Sequence, residues 1–279
     1  MAGPNEIASE VLRWHAEQRA FEPFAARMGI ADLSAAYDVQ DIVVQRRSDG
    51  SGARPVGYKI GLTSPRMQQM CGVKSPLSGV ILEKHVYPSG ANVALSDFVH
   101  LGIEFEVAVR IGRDVEPDNL PADAGAARKF VDAICPAIEL VDDRSADYAK
   151  GLDALSLAAD NSWSAGIVLG EFQNTYPDPG DLAADVFLDG ETVDHGNSRE
   201  ALGHPFAPKI WLAQHLASRG RILRHGDVVM TGSIVRTRIP EAGERYRMML
   251  EGLGSVEVAI AKWGSASPIP HELKRVELW

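Results

Sequence analysis

Residues 103–111 read Ile103-Glu104-Phe105-Glu106-Val107-Ala108-Val109-Arg110-Ile111. Ile103, Phe105, Val107, Val109 and Ile111 recur at period 2, which predicts a strand with one apolar face. Glu104 and Glu106 then share the other face, about 7 Å apart at Cα for a rise of ~3.3 Å per residue. Two carboxylates that close repel, and a divalent cation between them removes the repulsion. The competing reading is a solvated strand face with glutamate beside Arg110.

Glu139 bears on that choice. It lies in Ile134-Cys135-Pro136-Ala137-Ile138-Glu139-Leu140-Val141, an otherwise apolar run expected to be buried on both faces. An unpaired carboxylate there costs on the order of several kcal/mol, so it needs a cation or a proton. Three glutamates on two strands match an oxygen-ligand site for Mg²⁺ or Mn²⁺. A structural pair between Glu139 and an arginine such as Arg144 satisfies the same requirement, and spacing leaves both open.

In Gly57-Tyr58-Lys59-Ile60-Gly61-Leu62, the apolar residues share one face while Gly57, Lys59 and Gly61 share the other. Glycines on both sides of Lys59 clear room for a ligand. Thr63, Ser64 and Pro65 follow, with Ser64 as N-cap and Pro65 as first residue of a short helix that offers donors to a carboxylate. The plain alternative is an edge-strand lysine before an ordinary cap. Asp160-Asn161-Ser162 and Thr231-Gly232-Ser233 are polar turns that either position a substrate or simply close the chain. His100 and His204 lack metal-ligand spacing and default to structural or surface roles.

Outward from these motifs, Ile7, Val11, Leu12, Phe21, Phe24 and Met28 recur at helical spacing, with Pro23 splitting the pattern into two helices. Ser34 is the expected N-cap of a further helix through Tyr37, Val39, Ile42 and Val43, ending at residues 48–52. Expected strands are 56–62, 79–81, 103–111, 137–141, 164–169, 185–188, 227–231, 245–250 and 256–260. Asp189-Gly190 signals a hairpin, and helices are expected at 121–133 and 207–218. The fold class is α+β, with an N-terminal helical segment at 1–55 and a strand-rich unit at 56–279.

Composition narrows the function. Of 279 residues, 45% are hydrophobic and 24% charged, which excludes a disordered chain. The formal charge of -10 argues against nucleic acid and anionic membranes as partners. The two cysteines, Cys71 and Cys135, show no CxxC spacing, which fits buried thiols in a reducing compartment. No run reaches about 18 apolar residues, and the N-terminus lacks the pattern of a signal peptide; the expected location is cytoplasmic. There is no GxGxxG after a strand, P-loop, HExxH or GxSxG motif.

The segments 57–64, 102–106, 137–142, 159–162 and 226–233, with Ala36-Tyr37-Asp38-Val39-Gln40, resemble the 2-keto-4-pentenoate hydratase / 4-oxalocrotonate decarboxylase family, a branch of the fumarylacetoacetate hydrolase superfamily. The resemblance implies a fumarylacetoacetate hydrolase-like mixed β-sheet core behind the helical segment. It implies a Mg²⁺ or Mn²⁺ ion held by Glu104, Glu106 and Glu139, and Lys59 as the active-site lysine. Thr63, Ser64, Leu77, Asn161, Ser162, Gly232 and Ser233 would line the substrate. Implied substrates are small 2-hydroxy-2,4-dienoates or their 2-oxo tautomers from aromatic meta-cleavage. Implied too are a homo-oligomer and association with another enzyme of the pathway.

One stretch departs from the pattern. Family hydratases often carry Asp after the proline of a Pro-Asp-aromatic-Gly motif, whereas this chain has Ser75-Pro76-Leu77-Ser78-Gly79. Leu77 resembles the decarboxylase branch, and Ser78 fits neither pattern. Hydration of a dienoate is the leading expectation, with decarboxylation of a 2-oxo-3-hexenedioate or a catalytically silent partner subunit as alternatives. Arg144, Arg199 and Lys209 are candidate contacts for a second substrate carboxylate, and spacing selects none of them.

Overall fold

The computed structural model describes residues 2–263; the end of the expected strand-rich unit, 264–279, lies outside the described residues. The chain opens with helices α1 (Pro4–Ala16), α2 (Ala25–Met28) and α3 (Leu33–Ser51). It continues through β1 (Pro55–Gly61), α4 (Pro65–Met70), β2 (Leu77–Leu82), β3 (Val86–Pro88), β4 (Ala91–Ala94), β5 (Leu101–Ile111), α5 (Ala124–Arg128) and β6 (Val131–Asp142). Then come α6 (Ala154–Ala159), β7 (Ser164–Leu169), β8 (Ala183–Leu188), β9 (Glu191–Asn197), α7 (Phe206–Ser218), β10 (Val228–Met230), β11 (Arg245–Leu250) and β12 (Gly254–Ala261).

The strands form two sheets. One has the order β2-β1-β10-β5-β6-β7-β3 and the other β4-β12-β11-β8-β9. The period-2 face of β5 supplies the core between them: Ile103, Phe105, Val107, Val109 and Ile111 are buried against Val186, Met248, Val256 and Val258 of the second sheet. Leu212 and Leu216 of α7 pack on the same cluster. The other face of the large sheet carries the polar residues that matter below.

The helical segment has its own apolar layer. Ile7, Val11 and Trp14 of α1 meet Tyr37 and Val43 of α3, and both meet Leu157 of α6 and Leu77 at the start of β2. Gln40 is the polar exception on the buried face of α3; its Nε2 donates to Ser78 O and Ala158 O, each at 2.8 Å. A buried amide with both bonds made costs little and fixes where the helix meets the sheet.

Several expectations need correction. Asp32, rather than Ser34, caps α3, accepting from Ala35 N at 2.9 Å. The helix expected over 121–133 shrinks to α5, capped by Asp123, because pairing with β5 claims the chain from Val131 onward. β6 therefore begins six residues before the expected strand. The short strands β3 and β4 carry too few residues for a period to show. The Asp189-Gly190 hairpin joins β8 to β9, with φ of 50° and 91° at the two turn residues, as such turns demand.

Candidate active site

Register builds the cluster. β5 and β6 pair antiparallel with Glu104 directly opposite Glu139, and Glu106 lies two residues along the same face. One carboxylate oxygen from each of the three lies within 4.8 Å of the others. Glu106 and Glu139 are 0% and 1% exposed. The solvated-face reading of the strand is thereby excluded for Glu106, and Arg110 pairs with Asp132 instead. Arg144 is likewise not the partner of Glu139; it is buried on Asp160.

Lys59 faces the same side. β1 lies inside the sheet, between β2 and β10, so this is no edge-strand lysine. Its Nζ stands 2.8 Å from Glu139 Oε1, an ion pair whose angles fall short of a hydrogen bond. Only one flanking glycine acts as expected: a Cβ at Gly61 would stand 3.4 Å from Lys59 Nζ, whereas one at Gly57 would strike Val228 O at 1.9 Å, so Gly57 lets the backbone of β10 approach rather than clearing room for a ligand. Gly79, paired across from Lys59, would place a Cβ 3.2 Å from Lys59 Cγ and 2.5 Å from Asn161 O.

The carboxylates are only partly satisfied. Thr237 Oγ1 donates to Glu104 Oε1 at 2.6 Å, and Gly232 N donates to Glu106 Oε2 at 2.8 Å. Glu106 Oε1 and both oxygens of Glu139 are buried without a hydrogen bond. Burial, then the charges of Glu139 and Glu104, push the Glu106 carboxyl well above its ordinary range. Burial also raises Glu139, against the pull of Lys59. For Lys59 burial opposes the charge, yet Glu139 and then Glu104 hold its ammonium above the usual value. Fully ionised, three carboxylates and one ammonium leave a formal −2, which a divalent cation neutralises. Orphaned hard-oxygen donors at this separation fit Mg²⁺ or Mn²⁺.

The remaining sequence-named residues surround this cluster in different ways. Leu77 pairs with Gly61 on the Lys59 face and is buried, giving an apolar wall. Thr63 abuts Gly232, where a Cβ would stand 2.6 Å from Thr63 Oγ1. Ser64 caps α4, accepting from Met67 N at 3.3 Å, and Ser233 Oγ donates to Val235 O. The side chain of Asn161 does not face the cluster: Oδ1 accepts from Val80 N at 2.7 Å and Nδ2 donates to Val80 O at 3.0 Å. Its main-chain carbonyl is what stands near Lys59. Ser162 Oγ donates to Ser78 O at 3.0 Å.

These bonds reveal a device that motif reading missed. β2 is the edge strand of its sheet, and its outer backbone groups at Ser78 and Val80 are taken by side chains. Tyr37 OH accepts from Ser78 N, Gln40 and Ser162 donate to Ser78 O, and Asn161 serves Val80. Such an edge would otherwise expose unpaired groups. The available signal was Gln40, a polar residue on the buried stripe of α3. Asn161, Ser162 and Trp163 hold φ of 55°, 52° and 57°, a left-handed run costing about 1–2 kcal/mol per residue. The candidate contacts for a second carboxylate lie elsewhere: Arg199 is on Asp181, and Lys209 donates to Ala127 O.

A family model described as fumarylacetoacetate (FAA) hydrolase C-terminal matches residues 66–261. The chain is 35% identical over 262 residues to 2-keto-4-pentenoate hydratase 2 of Dechloromonas aromatica (strain RCB), covering 92% of this chain and 97% of that one. It is 32% identical over 224 residues to 4-oxalocrotonate decarboxylase of Pseudomonas putida, covering 79% and 83%. Among solved structures, 4-oxalocrotonate decarboxylase from Pseudomonas putida G7, complexed with magnesium and adipate, superposes with a TM-score of 0.83 at 27% identity, over 92% of this chain and 97% of that one.

Proposed function

The chain belongs to the 2-keto-4-pentenoate hydratase / 4-oxalocrotonate decarboxylase branch of the fumarylacetoacetate hydrolase family, and from that premise we propose a divalent-metal-dependent lyase that hydrates small 2-hydroxy-2,4-dienoates. One observation carries the reading: the buried carboxylates of Glu106 and Glu139, with oxygens left without donors, stand beside Lys59. Lys59 offsets only one of the three carboxylates, and the remaining buried negative charge costs stability until a divalent cation enters. Glu104, Glu106 and Glu139 would hold Mg²⁺ or Mn²⁺. A bound ion would supply Lewis-acid stabilisation of negative charge at the substrate's C1 carboxylate and C2 oxygen as the dienol passes to its keto form.

The chain's own residues then divide the remaining tasks. Lys59 keeps its proton beside the cluster, where it orients the substrate carboxylate or hands over the proton that ketonisation needs. Leu77 and the open face at Gly61 receive the hydrocarbon part. Water adds at C4 of the conjugated enone. The substrate-lining role extends to Thr63, Ser64, Asn161, Ser162, Gly232 and Ser233, with Asn161 acting through its main chain. The reading includes a cytoplasmic homo-oligomer, which associates with another enzyme of the same degradation route, and a catalytic unit at 56–279 behind the 1–55 helical segment.

A second reading rests on Leu77. Where a hydratase would place an acid, the wall is apolar, which suits release of CO₂ from a 2-oxo-3-hexenedioate better than water activation. The test supplies freshly generated 2-hydroxypenta-2,4-dienoate and, separately, 2-oxohex-3-enedioate, each with Mg²⁺ and with Mn²⁺, and identifies products by mass. Gain of one water from the dienoate is the expected result. CO₂ release from the diacid alone selects the decarboxylase. Turnover of neither by a protein that binds the metal overturns both substrates.

A further inference from the structure

Asp160 takes no part in the chemistry above, yet it is wholly buried and bound by two side chains, the nearby Arg144 guanidinium and an imidazole, His15, from the far N-terminal helix. Arg144 donates to Oδ2 through Nη2, and His15 Nε2 lies 2.5 Å from Oδ1. Arg144 is 1% exposed and sits just past β6, the strand that carries Glu139. His15 belongs to the last turn of α1. Against the cost of burial, His15, Arg144 and Arg47 hold the Asp160 carboxyl low.

Strain gathers around this one carboxylate. Of the nine non-glycine residues with positive φ among those described, five are Arg144, Ser145, Asn161, Ser162 and Trp163. Such backbone persists only where its surroundings over-determine it. Asn161 and Ser162 are held at one end by β2; Asp160 anchors the other. The same turn sets the Asn161 carbonyl, which a Cβ on Gly79 would meet at 2.5 Å, on the side of the sheet where Lys59 lies.

We propose that Asp160, clamped between Arg144 and His15, is a positioning residue: it fixes the left-handed turn so that the Asn161 carbonyl walls the Lys59 side of the site, which brings the first helix into the site's function. The inference rests on Lys59 and the three glutamates being the reaction site. It is distinct from a purely stabilising role, because Arg144 alone neutralises the buried carboxylate, and the second hydrogen-bond partner comes from another segment.

The test compares the parent with His15→Phe, which keeps a ring but no donor, His15→Gln, which restores an N–H, and Asp160→Asn. His15 is partly exposed, so its variants fold even where Asp160→Asn, which strands Arg144, does not. Three readouts are taken: amide exchange, oxalate affinity in the presence of Mn²⁺, and kcat and KM on the dienoate. In His15→Phe, amides of 78–80 and 161–163 should exchange about tenfold faster while those of 245–261 are unchanged. Oxalate affinity should fall about fivefold or more with Mn²⁺ affinity unaltered, and His15→Gln should recover both. Unchanged exchange and oxalate affinity in His15→Phe overturn the proposal, even if the melting temperature drops. Failure of the functional reading shows separately: a parent that turns over neither acid while the exchange pattern still shifts leaves the clamp supported.

Discussion

Among the described residues two lysines are buried, and their surroundings send them opposite ways. Lys59 faces Glu139, Glu104 and Glu106 and keeps its proton. Lys209 faces the Ala127 carbonyl, to which Nζ donates at 2.6 Å, and the Phe206 ring. Burial with no carboxylate pushes Lys209 down to about 7 from 10.5. Between those values the unfolded chain binds a proton that the folded chain does not. Unfolding free energy therefore rises with pH across that window, and the cost of the buried charge is borne in full below pH 7. At ~1.4 kcal/mol per unit, the gain from pH 7 to 9.5 approaches about 3 kcal/mol. Urea denaturation at the two pH values should show that rise in the parent and lose it in Lys209→Met. Equal slopes in both would contradict the assignment.

At the scale of elements, β2 joins the helical segment to the site. Its outer edge is held by Tyr37, Gln40, Asn161 and Ser162, and its inner edge pairs with the strand of Lys59. Gly79 is where both constraints meet. Gly79→Ala should cost about 1–3 kcal/mol of stability, as overpacking does, because the new Cβ meets the Asn161 carbonyl rather than a movable side chain. Chemical denaturation with a two-state fit checks this; a change below about 0.5 kcal/mol would mean the turn yields freely.

Legibility in the sequence followed the same division. The alternation in 103–111 predicts β5 and its core face because period 2 is a local property. The room that Gly61 leaves beside Lys59 is legible for the same reason, whereas Gly57 answers to the Val228 backbone of another strand. The alignment of Glu104 with Glu139 depends on strand register, and no single segment contains that information. The side chain of Asn161 reads as a free polar group because the segment is seen alone, whereas its partner Val80 is 81 residues away. Residues 121–133 read as helix from composition, whereas pairing with Ile111 drew Val131 into a strand.

Across the whole molecule, a two-sheet core carries on its outer face a carboxylate cluster that the fold alone has no use for. The helical segment closes over the β2 side of that face, so the site draws on Lys59 from one part of the sheet, glutamates from another and the 160–163 turn beneath the helices. Among the described residues, no helix is long and apolar enough to cross a membrane. The central claim is that this buried charge exists to hold a divalent ion. Calorimetric titration of Mn²⁺ into the parent and into the Glu104→Gln, Glu106→Gln, Glu139→Gln triple variant tests it most directly. One site per chain in the parent, with affinity lost by about a hundredfold or more in a variant that remains folded, is the predicted result. A triple variant that binds Mn²⁺ and turns over substrate like the parent would contradict the account.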